Sequence, residues 1–287
     1  MRTPTAAEDI KRGDRFAFGE NWVRFLDTLD ANRVESATRS LANMLGEQSL
    51  RGRSFVDVGC GSGLSSLAAM NLGAARVHSL DFDPQSVACA QELQRRYFPD
   101  DNRWTVEEGS ALDLAYLASL GRFDCVYSWG VLHHTGDMWR TISNVCSMVA
   151  EGGRLFIAIY ADQGGSSDRW RIVKRSYNRC PSGLQPAFAA IAIAPLEMRA
   201  FLRLALRGRP LRYFKSWSGH ERRRGMSHWH DIVDWVGGYP FEVATPEAVF
   251  EHVHQAGFEL ERLTTTRGHG CHEFVFRRRS TADAAAV

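Results

Sequence analysis

No two cysteines in this sequence stand in a C-x-x-C pair. The six that occur, Cys60, Cys89, Cys125, Cys146, Cys180 and Cys271, are scattered. That spacing excludes a zinc ribbon and a thioredoxin-like redox pair. In a chain of 287 residues it fits reduced thiols in a cytoplasmic setting. His269, Cys271 and His272 sit too tightly on one turn to converge around an ion, so no metal is expected. A long apolar run is also missing. The longest, LQPAFAAIAIAPLEMRAFL at 184–202, is broken by Pro186, Pro195, Glu197 and Arg199. A span needs about twenty predominantly apolar residues, so the segment is expected to lie against something apolar rather than cross a bilayer. The opening MRTPTAAEDIKRGDRFAF lacks an apolar core before a cleavage site, and no secretory leader is expected. Nor is there a strong overall charge. The formal net charge is only +2, which by itself names no partner.

What is present is a repeating order. Apolar and aromatic residues at helical spacing over 16–50 predict two helices ending near Gly46. RSFVDVG then reads as a short buried strand and GLSSLAAMNLG as a helix closed by Gly73. ARVHSLDF is a second strand, and Pro84 opens the helix PQSVACAQELQRRYF. WTVEEGSA and FDCVYSWG are the third and fourth strands. The helix MWRTISNVCSMVA and the strand RLFIAIY follow, the latter after Gly152-Gly153. Strands alternating with helices imply an α/β fold, a parallel sheet with helices on both faces. The pattern stops near 162 and resumes near 246 with a helix (PEAVFEHVHQAG) and two strands (FELERLTTTR, CHEFVFRRR) close enough to pair as an antiparallel hairpin at a sheet edge. The expected organisation is a helical cap over 1–50, a core over 51–162 and 245–279, a mainly helical insertion over 163–244 acting as a substrate lid, and a flexible tail over 280–287.

The stretch FVDVGCGSG carries the first chemistry. Glycines at 59, 61 and 63 follow a strand and precede a helix. Such turns at the carboxyl edge of a parallel sheet are where nucleotides bind, because bare backbone admits the ligand and tolerates positive φ. Asp81 closes the next strand twenty residues on, placed to accept hydrogen bonds from both hydroxyls of a ribose. The spacing departs from the G-x-G-x-x-G of dinucleotide sites. Asp57, just ahead of the turn, would repel a pyrophosphate and attract an ammonium. A ribose-bearing ligand with a cationic end and no phosphate suits these residues.

FVDVGCGSG, SLDFDPQSVACA, EEGSALDL, FDCVYSWGVLHHTGDMW and EGGRLFIAIY together resemble the class I S-adenosylmethionine-dependent methyltransferases, most closely the small-molecule branch with the quinone-biosynthesis-type enzymes. The likeness covers about 50–161 in its motifs and 246–279 in architecture only. It implies a Rossmann-like seven-stranded sheet, mostly parallel with an antiparallel last strand, and S-adenosyl-L-methionine as cofactor. Asp57, Gly59 and Gly61, with Gly63 in the same turn, would border its methionine part. Asp81 would hold the ribose and Phe82 the adenine. Ser110 and Ala111 stand where the family often has Asp-Ala near the adenine, and Asp113 is too uncertain a substitute for that carboxylate. Ser128 and Trp129 would lie beside the sulfonium.

A proton acceptor near neutral pH is most easily histidine. His133 and His134 follow the fourth strand, and His228 and His230 stand in GMSHWHDIVDW near the end of the insertion. The second pair share a face if extended but not if helical. Residues 199–224 hold nine Arg or Lys against one acid, Glu221, a local +8 that leaves −6 for the rest of the chain. This run would meet an anionic ligand or a membrane surface. The expected activity is methyl transfer to O, N or S of a small, anionic or lipophilic acceptor. RNA methylation is the alternative enzyme reading, but no NPPY or DPPY stands at the fourth strand and nucleic acid is not expected. A non-catalytic cofactor-binding regulator is the alternative outside catalysis.

Overall fold

The computed structural model describes residues 5–19, 22, 25–26, 29–46, 50–218, 228–266, 268 and 270–280. Among the described residues, the helices α1 (Ala6–Lys11) and α2 (Ala31–Leu45) precede the sheet. Asp30 caps α2 by accepting from the Arg33 N–H at 2.8 Å, and Gly46 ends it at φ +94°. The first half of the core then reads β1 (Ser54–Val58), α3 (Leu64–Asn71), β2 (Arg76–Asp81), α4 (Pro84–Tyr97) and β3 (Trp104–Glu108). The second half continues with α5 (Leu114–Ser119), β4 (Phe123–Trp129), α6 (Met138–Ser147) and β5 (Val149–Tyr160). The insertion folds as α7 (Gly165–Arg179), α8 (Gln185–Leu206), α9 (Leu211–Ser218) and α10 (His228–Gly237). The chain returns through α11 (Pro246–Gln255), β6 (Phe258–Thr264) and β7 (Cys271–Arg278).

The seven strands form one sheet in the order β3-β2-β1-β4-β5-β7-β6. β1 pairs parallel with β2 and β4, and β7 runs antiparallel to both β5 and β6. The order reverses at β1, so the crevice lies above the carboxyl ends of β1 and β4, where open α/β sheets bind ligands. β1 is central, which is why Phe55, Val56 and Val58 are all fully buried rather than alternating. Each such side chain contributes about 1.5–3 kcal/mol relative to exposure. One face of the sheet packs Leu117, Ile142, Val145 and Val249 from α5, α6 and α11. The other packs Leu41, Leu67 and Leu93 from α2, α3 and α4. A third, smaller core joins Tyr177, Ile193 and Val236 within the insertion.

Two details differ from the sequence expectation. The short α5 arises because Asp113 accepts from the Tyr116 N–H at 3.0 Å, an N-cap that starts a helix of only six residues. β5 begins at Val149, ahead of Gly152-Gly153, with a register shift against β4 between Phe123 and Cys125. The glycine pair is thus an irregularity inside a strand rather than its start.

Candidate active site

The glycine turn joins β1 to α3 at the crevice. All three glycines have positive φ, +79° at Gly59, +52° at Gly61 and +81° at Gly63. Each also takes a close neighbour. A Cβ on Gly59 would lie 2.3 Å from Val131, one on Gly61 2.8 Å from the Trp22 ring, and one on Gly63 2.9 Å from Ala90. Bare backbone therefore serves packing within the chain as well as access. Gly63 lets α3 approach α4, and Gly61 lies beneath an aromatic ring delivered from before the sheet.

The acids sit as the spacing suggested but are differently engaged. The Gly61 N–H donates to Asp81 Oδ2 and the Asp83 N–H to Asp81 Oδ1, both at 2.9 Å. Asp81 thus binds the turn itself, and each of its oxygens keeps accepting capacity for a further donor. Burial raises its pKa to about 6, against the pull of those two N–H groups. Asp57 faces inward. Its Oδ2 accepts from Ser66 Oγ at 2.7 Å, Ser66 accepts from Ser79 at 2.6 Å, and Trp104 Nε1 donates to Ser79 at 2.8 Å. Burial lifts the Asp57 pKa to about 7, which Ser66 opposes and Asp81 reinforces. A cation arriving between the two carboxyls would relieve their mutual repulsion.

A strap from the N-terminal segment forms the wall over this floor. The Gly19 N–H donates to Asp83 Oδ2 at 2.9 Å. The Arg15 guanidinium lies 4.8 Å over the Phe82 ring and donates through Nη1 to the His134 carbonyl at 3.3 Å. Its buried Nε has no hydrogen-bond partner among the described residues. None of these contacts was expected from the sequence, because each joins residues more than sixty positions apart.

Ser110 Oγ accepts from the Leu112 N–H at 3.2 Å, and the Ala111 carbonyl accepts from Asn144 at 2.8 Å. Asp113 is occupied as the cap of α5, so it does not replace the carboxylate expected at Ser110. Ser128 is buried and donates to the Val58 carbonyl at 2.8 Å, tying β4 to β1. Trp129 is 47% exposed at the crevice edge, its Nε1 donating to Glu273 Oε1 at 2.8 Å.

The histidines after β4 lie inside. His133 is fully buried, with Nδ1 accepting from the Tyr160 N–H at 3.3 Å and its ring 3.9 Å from that of Tyr160. His134 Nδ1 donates to the Pro240 carbonyl at 2.6 Å. Burial holds both neutral, with His133 well below the ordinary value and His134 lowered to about 3. They tie the loop after β4 to β5 and to the chain returning from the insertion. His228 and His230 stand in the first turn of α10, so their segment is helical rather than extended. His269 lies outside the described residues, and no cluster of three metal-ligating side chains exists among those described.

One charged group went unnoticed. Lys174 on α7 is 0% exposed, donates to the Trp235 carbonyl, and lies 4.2, 4.8 and 5.9 Å from the rings of Trp235, Phe241 and Trp170. Burial lowers its pKa to about 7, with Asp234 opposing. Those rings, with Tyr160, line a pocket with about 10 Å³ of free space, room for roughly one water. The signal was legible, since Trp170, Lys174 and Tyr177 share one helical face.

The residues fit S-adenosyl-L-methionine. Asp81 offers acceptors for a ribose, Phe82 a flat partner for an adenine, Asp57 and Asp81 a field for a cationic end, and positive-φ glycines a floor. Residues 56–155 match the methyltransferase-domain family. Over 116 residues the chain is 34% identical to the ubiquinone biosynthesis O-methyltransferase of Methylobacterium sp. (strain 4-46), covering 40% of this chain and 43% of that protein. Over 115 residues it is 41% identical to the ribosomal protein L11 methyltransferase of Methylococcus capsulatus, covering 40% and 36%. The matches thus span less than half of either relative. The magnesium protoporphyrin IX methyltransferase of Synechocystis PCC 6803, solved with bound S-adenosylmethionine, shares the fold at TM-score 0.55 and 15% identity, over 97% of this chain and all of that one. Residues 56–155 of this chain thus match a methyltransferase domain, set in a sheet whose fold is shared with the Synechocystis methyltransferase.

Proposed function

We propose that this protein transfers a methyl group to an oxygen, nitrogen or sulfur of a small-molecule acceptor, anionic or lipophilic in character. The observation that carries the reading is the Gly59–Gly63 turn latched by Asp81 through the Gly61 N–H. When bound, the cofactor supplies a methyl group already activated on a sulfonium. The chain's own residues do the rest. Asp81 holds the sugar, Phe82 and the strap enclose the base, and Ser128 fixes the β4 edge against β1. Trp129, steadied by Glu273, offers the acceptor a flat wall. Proximity and alignment carry such a displacement. A base is needed only if the acceptor arrives protonated. His133 and His134 suit a positioning role, since both rings are buried and bonded to backbone. His228 and His230 remain candidates for the acceptor side, at the start of a helix of the lid.

The acceptor class rests on the insertion, which lies outside the residues 56–155 matched as a methyltransferase domain. A ubiquinone biosynthesis O-methyltransferase and a ribosomal protein L11 methyltransferase match this chain at similar length, so the matches do not choose between a small-molecule and a protein acceptor. The aromatic pocket beside the buried Lys174 has room for about one water, so it does not itself choose the acceptor. A cytoplasmic setting suits six cysteines that are all free thiols.

The test is a metabolite extract incubated with the protein and methyl-labelled cofactor, followed by mass identification of labelled products. A labelled small molecule supports the reading. Label appearing only in protein or RNA of an unfractionated lysate overturns it.

A further inference from the structure

No described helix is long and apolar enough to cross a membrane. One of them is nevertheless apolar on two opposite faces. The inner face of α8 buries Ala189 and Ile193 against the rest of the insertion. The outer face carries Ile191, Met198, Leu202 and Leu206, at i, i+7, i+11 and i+15. At 3.6 residues per turn these fall within about 80° of arc, a single stripe along the helix. Their exposures are 75, 57, 48 and 88%. α9 extends the same apolar surface with Leu211 and Phe214, 71 and 60% exposed. Phe214 and Tyr213 pack edge-on against Phe201, and the Tyr213 hydroxyl donates to Glu197 at 2.6 Å, so α8 and α9 form one unit. Six exposed apolar side chains on two joined helices make a patch of the kind that marks an interaction surface.

The border of the stripe is basic. Arg199 and Arg203 flank it on α8, and Arg207, Arg209, Arg212 and Lys215 follow on the turn and α9, all exposed. The acid of α8, Glu197, is engaged by Tyr213. Aliphatic side chains in the middle and long cations at the edge are what an interfacial helix presents to acyl chains and headgroups. A second copy of this chain set face to face would bring like charges together. A nucleic acid would neutralise the cations and leave the aliphatic stripe in water.

We propose that the outer face of α8 and α9 docks this protein on an anionic membrane surface, α8 lying in the interface plane. The inference does not depend on the methyl-transfer reading, because docking is measured without cofactor or acceptor.

The experiment is sedimentation of the full chain with extruded vesicles, either phosphatidylcholine alone or with about 30% phosphatidylglycerol. Binding to the anionic vesicles is expected to exceed binding to neutral ones by tenfold or more and to fall as salt is raised. The double variant Leu202→Glu/Leu206→Glu should lose at least tenfold in binding with unchanged circular dichroism and melting temperature, since both side chains are exposed. Arg199→Gln and Arg203→Gln should each weaken binding about fivefold and flatten its salt dependence. Equal binding to both vesicle types, no binding to either, or full binding by the double variant would overturn the proposal. So would a lipid-free dimer that the double variant dissociates, because the stripe would then be covered by a second copy.

Discussion

Lys174 offers a direct measure of what burial does in this fold. Its pKa falls from 10.5 to about 7, chiefly through burial. The unfolded chain binds that proton up to pH 10.5, whereas the folded chain releases it above about 7. Stability therefore rises with pH between 7 and 10.5, and the full penalty applies below 7. About 3.5 pH units at roughly 1.4 kcal/mol each set a ceiling near 5 kcal/mol. Relaxation, the Trp235 carbonyl and the aromatic faces make about 2–3 kcal/mol the expected size. Lys174→Met keeps the volume and removes the charge. Urea unfolding of both proteins at pH 6.5 and pH 9.5 isolates the effect, since the buried thiols and phenols titrate alike in each. The variant should be the more stable at pH 6.5, and its advantage should shrink by about 2 kcal/mol at pH 9.5. A difference between the two proteins that does not change with pH would refute the reasoning, leaving Lys174 with an ordinary ammonium.

Asp81→Ala should weaken S-adenosylhomocysteine binding tenfold or more in titration calorimetry, about 1.4 kcal/mol or above, and unchanged affinity would remove its ribose role. Gly63→Ala should cost about 2–3 kcal/mol in thermal or urea unfolding, because φ there is +81° and the new methyl would meet Ala90 at 2.9 Å. Adding Ala90→Gly should recover part of that loss, and no recovery would mean that the steric contact does not matter. His134 is held neutral by burial, so its contribution to stability is complete above pH 6.5 and drains away as pH falls toward about 3. His134→Asn, which keeps an N–H for the Pro240 carbonyl, should reduce the fall in urea midpoint between pH 6.5 and 4.5, and an identical acid profile would contradict this.

The parallel half of the fold was readable because its signals are local. Buried runs such as Phe55–Val58, glycines at strand ends and Pro84 at a helix start all act within a few residues. The antiparallel pairing of β6 with β7 followed from a short turn between two strand-like runs, whereas the placing of β7 next to β5 did not. The six-residue α5 was not anticipated, because it rests on one cap rather than on periodicity, and Asp113 is consumed in making it. Gly152-Gly153 suggested the point before β5, yet the strand starts at Val149 and passes through the pair with a register shift against β4. At the site, the glycines and Asp81 were legible from spacing. Which way a carboxylate turns was not, because Asp57 answers to Ser66 and, through it, to Ser79 and Trp104. Arg15 and Trp22 were beyond local reasoning, their partners lying on the far side of the fold. Lys174 was within reach, as a cation on the apolar face of α7.

The strap has one more consequence. Trp22 roofs Gly61 and the Gly19 N–H fastens to Asp83, so the ceiling of the crevice comes from chain that contributes no strand. Loading and unloading of a nucleoside then become matters of hinge kinetics, tunable at Trp22 or Arg15 without touching the sheet. A protein carrying Arg15→Ala should exchange ligand faster and hold it less tightly.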